Sequence, residues 1–310
     1  MKIVRSSHHS RRIRWIAAVV TLSAVAGCGT EKVAAGNRSS DEPPLGPIPT
    51  VTSNAHIPLP LDSYILSIDE VGLIEKARAI GARDCLRSLG FGASSTAALA
   101  AIDPTDADER VVEYLDPDIA AKRGYGGITP PDEGETKAGR AAPDADSHLG
   151  AAYLGTRKST PKGRSIPDGG CFAEGDRKVK EGTGTLELDP RSVRTSGTVA
   201  VMKDSRYRAA VSQWSSCMKA RDLDYDAPES ARLDPDWDKR PTAEPPSERE
   251  RHVAAADAAC RQQTNIVGIA VAVETAHQSK LINENREKLE AGKTVVAQWL
   301  RNANAIIAKG

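Results

Sequence analysis

The chain has 310 residues, a length typical of one or two domains. Aromatic residues make up only 4% of it, but the net charge is close to zero, so the chain lacks the high net charge that usually accompanies complete disorder. Without residues 1–27, whose five charged side chains are all basic, 37 basic and 42 acidic side chains remain. This slightly acidic balance argues against a protein that binds nucleic acid.

The N-terminus has the pattern of a bacterial lipoprotein signal. A basic stretch precedes an apolar run from Trp15 to Gly27, whose 13 residues are fewer than the roughly 20 that a membrane-spanning helix needs. The run ends in Val-Ala-Gly-Cys28, a lipobox, which predicts removal of residues 1–27 and lipidation of the Cys28 thiol. We therefore expect a protein anchored by lipid to the extracytoplasmic face of the bacterial cell membrane. The alternative is an ordinary signal peptide with an incidental cysteine.

The segment that follows, residues 28–60, contains six prolines. Because Pro-rich chain is extended and packs no core, we predict a disordered tether here. The tether leads to a helical extracytoplasmic domain, residues 61–310. Within this domain, residues 126–170 and 226–246 are rich in Pro or Gly and are predicted as irregular loops.

Local signals place the helices of this domain. Ser67-Ile-Asp-Glu70 is a capping box that begins a helix, and Gly90 is suited to end it. A second capping box, Ser247-Glu-Arg-Glu250, begins a long helix that we expect Gly292 to break. Further helical segments are predicted at residues 110–124, 171–180, 203–221 and beyond Gly292. Residues 183–188 form the one weak strand pattern, so we predict a mostly α fold, a disulfide-stapled irregular helical domain with a long C-terminal helix and extended loops.

Four cysteines besides Cys28 predict two disulfides, because an even number in an exported chain is typical of disulfide pairing. Four cysteines allow three pairings. Cys85-Leu-Arg-Ser-Leu-Gly resembles Cys217-Met-Lys-Ala-Arg-Asp, and each of these cysteines lies one turn before a predicted helix end. This faint duplication predicts the pairs Cys85–Cys171 and Cys217–Cys260, and the alternative is four free thiols. The chain-entropy model assigns roughly 4 to 4.5 kcal/mol to each bond.

Short motifs in a fixed order resemble those of a group of uncharacterised secreted lipoproteins of actinobacteria. The motifs are Cys85-x4-Gly-Phe, Tyr114-Leu-Asp-Pro, Gly169-Gly-Cys171, Trp214-x2-Cys217-Met and Ala256-Asp-x2-Cys260. The resemblance covers about residues 61–290. It implies the same localisation, cysteine framework and helical fold. The group has no established activity, so the resemblance brings no catalytic residue.

The sequence contains none of the common catalytic or cofactor motifs. His-Glu-x-x-His, Gly-x-Ser-x-Gly, a Walker A loop and a dinucleotide-binding loop are all missing. We therefore predict no catalytic residue, no metal ligand and no cofactor. Trp237, which lies among prolines, is predicted as a candidate interaction residue.

These observations favour a lipid-anchored, non-enzymatic cell-envelope protein. It would be held at the membrane by its lipid and would bind an envelope protein, a cell-wall component or another ligand, and not nucleic acid. The alternative is a hydrolase of the cell wall, whose carboxylates the fold would assemble, with Glu174 and Glu274 as the acids considered.

Overall fold

A computed structural model describes residues 42–93, 111–127, 143–144, 146–238, 240–241 and 244–309. The predicted signal peptide and Cys28 lie outside these residues. The described residues belong to one compact unit, Arg38–Gly310. They are mostly helical, as predicted, and the only β-pairing among them is an isolated bridge between Ser159 and Ser165. The strand prediction for residues 183–188 is therefore wrong.

The described residues form nine α-helices, numbered here in chain order. They are α1 (Ile68–Ser88), α2 (Pro117–Arg123), α3 (His148–Leu154), α4 (Gly170–Val179), α5 (Pro190–Lys203), α6 (Ser205–Lys219), α7 (Pro228–Arg232), α8 (Glu248–Thr264) and α9 (Ile266–Lys309). Two 3-10 helices add to them, at Pro60–Tyr64 and Gly124–Gly127. Both predicted irregular loops therefore contain a short helix, α3 in the first and α7 in the second.

The predicted helix starts at two serines are confirmed. The Ser67 hydroxyl accepts a hydrogen bond from the Glu70 amide at 3.3 Å, and the Glu70 carboxylate accepts one from the Ser67 amide at 2.8 Å. Ser247 caps α8 in the same way, at 3.0 Å from the Glu250 amide. The Glu250 carboxylate, however, accepts from the guanidinium of Arg240 and is buried, so the second capping box is not closed.

The C-terminal helix differs from the prediction in where it is interrupted. Asn265 adopts a left-handed conformation with φ 49° and separates α8 from α9. Helix α9 then continues through Gly292, and its one non-helical residue is Asn285. Gly292 is buried, and a Cβ there would lie 3.0 Å from Leu186, so its small size serves packing and does not end the helix.

Helix α5 is missing from the sequence prediction, which begins the helix in this region only at residue 203. The Asp189 carboxylate caps α5 by accepting from the Arg191 amide at 3.0 Å, and Pro190 occupies the first turn. An Asp-Pro pair of this kind is a known start signal. One residue, Asp204, both ends α5 and caps α6.

The main hydrophobic core lies between α6, α8 and the start of α9. On α6, the side chains of Tyr207, Trp214 and Met218 are all buried in this core. A separate cluster surrounds the bond between Cys85 and Cys171. The C-terminal part of α9 packs against α1 in a further cluster.

Residues 42–51, called the strap below, are packed and are not a disordered tether. The Glu42 carboxylate accepts from the amide and the hydroxyl of Ser205, each at 2.7 Å. Arg206 donates to the Pro43 carbonyl at 2.7 Å, and Leu45 packs against the main core. The prediction is wrong here because side chains of the helical domain satisfy the backbone groups that Pro-rich chain leaves unpaired.

The structure contains the two disulfides that the sequence predicts. Cys85–Cys171 joins α1 to α4, and Cys217–Cys260 joins α6 to α8. The helix ends beyond Cys85 and Cys217 are also alike. Gly90 and Asp222 both have positive φ, at 91° and 59°, which matches the equivalence expected between them.

Candidate functional site

An open groove with a volume of about 930 Å³ is the candidate functional site. Its lining comes from α5, α6, the chain that leads into α7, and residues 111–113. Because one residue joins α5 directly to α6, these two helices form adjacent walls. We call this cavity the α5–α6 groove.

One wall of the α5–α6 groove is apolar. Met202 lines it and is 60% exposed, and Val199 on the same helix is also exposed. Val111 and Val211 continue the apolar lining, to which the largely buried Tyr207 also belongs. Methionine is unbranched and adapts its shape to a partner, so exposed Met202 is suited to contact an apolar ligand.

The other wall is polar and comes from one face of α6. Its lining residues are Arg208, Ser212, Ser215, Ser216 and Lys219. Their spacing of three or four residues places them on one side of the helix. Arg208 is exposed and has no acidic partner among the residues that the structure describes. Ser215 and Ser216 donate their hydroxyls to backbone carbonyls, so the groove offers the Ser212 hydroxyl and the Arg208 guanidinium. Its lining also includes the carboxylates of Glu113, Asp226 and Glu229.

A buried ion pair holds the floor of the α5–α6 groove. The Asp257 carboxylate accepts two hydrogen bonds from Arg261, both at 2.8 Å, and one from Trp214 Nε1 at 2.8 Å. The Tyr125 hydroxyl donates to the same carboxylate at 3.1 Å. Arg261 also donates to the Glu113 carbonyl at 2.6 Å, which fixes the chain that lines the groove.

The Tyr207 hydroxyl is not suited to act as a base. Desolvation by burial raises its pKa to about 12, while the nearby charge of Arg261 opposes that rise. The hydroxyl is therefore protonated at neutral pH and is available only as a neutral polar group.

A smaller cavity of about 290 Å³ lies beside a buried aspartate and histidine. His277 Nε2 lies 2.9 Å from Asp204 Oδ2, and Arg206 donates to the other oxygen at 2.8 Å. Burial opposes the charge on Asp204, but the hydrogen bonds from Arg206 and His277 prevail and lower its pKa to about 2. Because these bonds occupy both oxygens, the pair fastens α9 to the junction of α5 and α6 and is not arranged as a free base.

Comparison of the chain with protein-family models, with curated proteins and with solved structures finds no match. The resemblance to actinobacterial lipoproteins therefore stays a prediction. No helix among the described residues is long and apolar enough to cross a membrane.

Trp237 is not an exposed interaction residue, so that prediction is wrong. Its ring is only 5% exposed and stacks on Tyr125 at 5.9 Å between ring centroids. Its Nε1 donates to the carbonyls of Ala231 and Arg232, each at 3.1 Å. The ring therefore belongs to the main core.

The two acids considered for a hydrolase do not line the α5–α6 groove. Glu174 pairs with Arg177 at 2.8 Å on the surface of α4. Glu274 is 2% exposed in α9 and accepts from Gln278 at 3.0 Å. In the described part of the chain, no group of three or more His, Cys, Asp or Glu side chains is arranged to hold a metal ion.

No motif in the sequence marks the groove residues. Met202 and Arg208 are separately unremarkable in the sequence and become neighbours of one cavity only because α5 and α6 meet at Asp204. The available signal was the pair of helix starts at Asp189-Pro190 and Asp204-Ser205. Together, these two helix starts predict two short helices joined at a corner.

Proposed function

We propose that this protein is a lipid-anchored, non-enzymatic protein of the cell envelope that binds an anionic amphiphile in the α5–α6 groove. The ligand would combine an apolar chain with an anionic head group. The observation that carries the proposal is the groove itself, with exposed Met202 on one wall and unpaired Arg208 on the other.

The size and lining of the groove support this class of ligand. Its volume of about 930 Å³ lies within the roughly 300–1,000 Å³ of small-molecule sites. The apolar chain would cover Met202 and Val211, which removes exposed apolar surface from water. The head group would accept charge-assisted hydrogen bonds from Arg208 and a bond from the Ser212 hydroxyl, since Ser215 and Ser216 donate to backbone carbonyls.

Two features support the proposed location. Cys28 stands in a lipobox, and the two disulfides are typical of an oxidising compartment outside the cytoplasm. Under this proposal, 13 residues separate the lipidated Cys28 from Glu42, where the packed strap begins. Fully extended, they reach at most about 50 Å, so the binding domain works close to the membrane.

The test of binding uses oleate as the probe, oleyl alcohol as its uncharged counterpart, and the oxidised mature chain. We expect oleate to bind more tightly than the alcohol in a calorimetric titration. Met202→Glu and Arg208→Glu should each weaken oleate binding about tenfold, because the first places a charge on the apolar wall and the second reverses the cation. Absence of oleate binding would overturn the ligand class.

Two matched variants control for the introduced charge. Ile68→Glu adds a carboxylate to another exposed apolar position, and Arg301→Glu reverses another exposed cation. Both residues lie outside the lining of the α5–α6 groove and should leave oleate affinity unchanged. If either control weakens binding as much as Met202→Glu and Arg208→Glu, the ligand does not lie in the groove.

The test of anchoring is separate. Cys28→Ala removes the thiol that would be lipidated, so the protein should move from the membrane fraction to the soluble envelope fraction. Retention of the variant in the membrane fraction would contradict the lipid anchor without affecting the result for oleate binding.

A further inference from the structure

The guanidinium of Arg221 lies directly against one of the two disulfides. Its Nη1 is 2.8 Å from Cys217 Sγ and 3.1 Å from Cys260 Sγ, and it also donates to the Cys217 carbonyl at 2.9 Å. Arg221 Nη2 donates to Gln263 Oε1 at 3.4 Å, and this bond holds the other side of the guanidinium. A single fixed cation therefore faces both sulfur atoms of this bond.

The other disulfide has an apolar residue at the corresponding position. Arg221 comes four residues after Cys217 at a helix end, and Leu89 comes four residues after Cys85 at the matching end. Leu89 is buried in the cluster around Cys85–Cys171. Among the described residues, no side chain donates a hydrogen bond to a sulfur of that bond. In the described part of the chain, a cation thus donates to the sulfurs of one disulfide and not to those of the other.

This difference bears on how easily each bond is reduced. Reduction begins when an external thiolate attacks one sulfur and expels the other as a thiolate. A neighbouring guanidinium stabilises a thiolate, whereas apolar surroundings disfavour it. Arg221 therefore favours the reduced products of Cys217–Cys260, and Leu89 gives no such help to Cys85–Cys171.

We propose that Cys217–Cys260 is a thiol-exchange site, which a dithiol reductant opens in preference to Cys85–Cys171. The attacking thiolate bonds to Cys217 Sγ, because Cys217 is 7% exposed while Cys260 is fully buried. The bond between the two sulfurs breaks, and Cys260 leaves as a thiolate beside Arg221. The second thiolate of the reductant then displaces Cys217 as a thiolate, so the reductant becomes a disulfide and the protein gains two electrons.

Opening this bond would act on the α5–α6 groove. Cys217 lies on α6 between the groove residues Ser216 and Lys219, and Cys260 precedes Arg261, which holds the groove floor. The bond thus fastens the polar wall of the groove to the helix beneath it. Its reduction frees the end of α6 while Cys85–Cys171 continues to hold α1 to α4.

The test measures the two bonds in the same molecule. The oxidised mature protein is incubated with dithiothreitol at pH 7, samples are quenched with iodoacetamide, and mass spectrometry of peptides gives the reduced fraction at each cysteine. We expect Cys217–Cys260 to open first. Arg221→Leu, which copies the Leu89 position, should slow this opening about tenfold and leave Cys85–Cys171 unchanged.

Two further variants separate this role from a structural one. Arg221→Lys restores a cation and should recover part of the lost rate, and Arg87→Leu removes an arginine near Cys85 and should have no effect. If Arg221 only supported the helix end, its removal would loosen the bond and make reduction faster. An unchanged or faster opening in Arg221→Leu would therefore overturn the proposal.

Discussion

Asp257 lies at the centre of the main core, and we expect Asp257→Asn to lower the free energy of unfolding by about 3–5 kcal/mol. The carboxylate is fully buried, and Arg261, its ionic partner, is only 4% exposed. All four hydrogen bonds at Asp257 are donated to it, by Arg261 twice, by Trp214 and by Tyr125. An asparagine accepts through one oxygen only, so the substitution leaves a buried guanidinium without its counter-charge.

A surface pair offers the matched control. Asp236 and Arg249 lie 2.5 Å apart, but their side chains are 54% and 64% exposed. Asp236→Asn makes the same chemical change where water solvates both partners, and exposed pairs contribute about 0–1 kcal/mol. The difference between Asp257→Asn and Asp236→Asn therefore isolates the effect of burial.

The assay is urea unfolding at pH 7 with both disulfides oxidised. A change in midpoint with an unchanged slope reports a change in stability alone. Adding Arg261→Gln to Asp257→Asn should cost less than the sum of the two single changes, because the double variant no longer contains an unpaired buried charge. If Asp257→Asn destabilises by no more than Asp236→Asn does, the buried ion pair does not hold the groove floor as we argue.

Two further predictions concern the junction of α5 and α6 and the strap. Burial opposes the charge on Asp204, but hydrogen bonds from Arg206 and His277 hold its pKa at about 2, below the roughly 3.9 of an unfolded aspartate. This contribution to stability is present above pH 4 and is lost as the pH falls towards 2. The melting temperature of Asp204→Asn should therefore fall less between pH 4 and pH 2 than that of the unsubstituted protein. A Cβ at Gly268 would overlap the carbonyl oxygen of Pro49, so Gly268→Ala should release the strap and increase its amide hydrogen exchange. An unchanged exchange rate would show that the strap does not depend on this contact.

Signals confined to a few neighbouring residues were sufficient to predict part of the fold. Ser67 and Ser247 begin helices because capping is a local interaction, and Gly90 and Asp222 follow the ends of α1 and α6 in conformations with positive φ. The cysteine pairing was accessible because the two helix ends repeat along the chain. Gly292 shows the limit of such signals, because a local cost in helix propensity is outweighed by packing against Leu186.

Composition was a misleading guide to exposure where contacts between distant parts of the chain determine which residues are buried. The prolines around Trp237 suggested exposure, but the ring stacks on Tyr125, more than 100 residues earlier in the chain. The strap is also Pro-rich, yet Asn265 donates to the Pro49 carbonyl at 3.1 Å and Arg206 donates to Pro43. In both places, partners that are distant in sequence satisfy groups that composition alone assigns to solvent.

The α5–α6 groove depends on Asp204, the residue between its two helices. Asp204 ends α5 and begins α6 in an extended conformation, so it sets the angle between the two walls. His277 and Arg206 hold its carboxylate, and Glu42 of the strap caps the same helix start through Ser205. Two elements that are distant in sequence, the strap and α9, therefore fix one corner together with the neighbouring Arg206. A substitution at this corner should change the angle between the two walls while every lining residue stays the same. Its effect on binding would therefore report the geometry of the groove and not the chemistry of its lining.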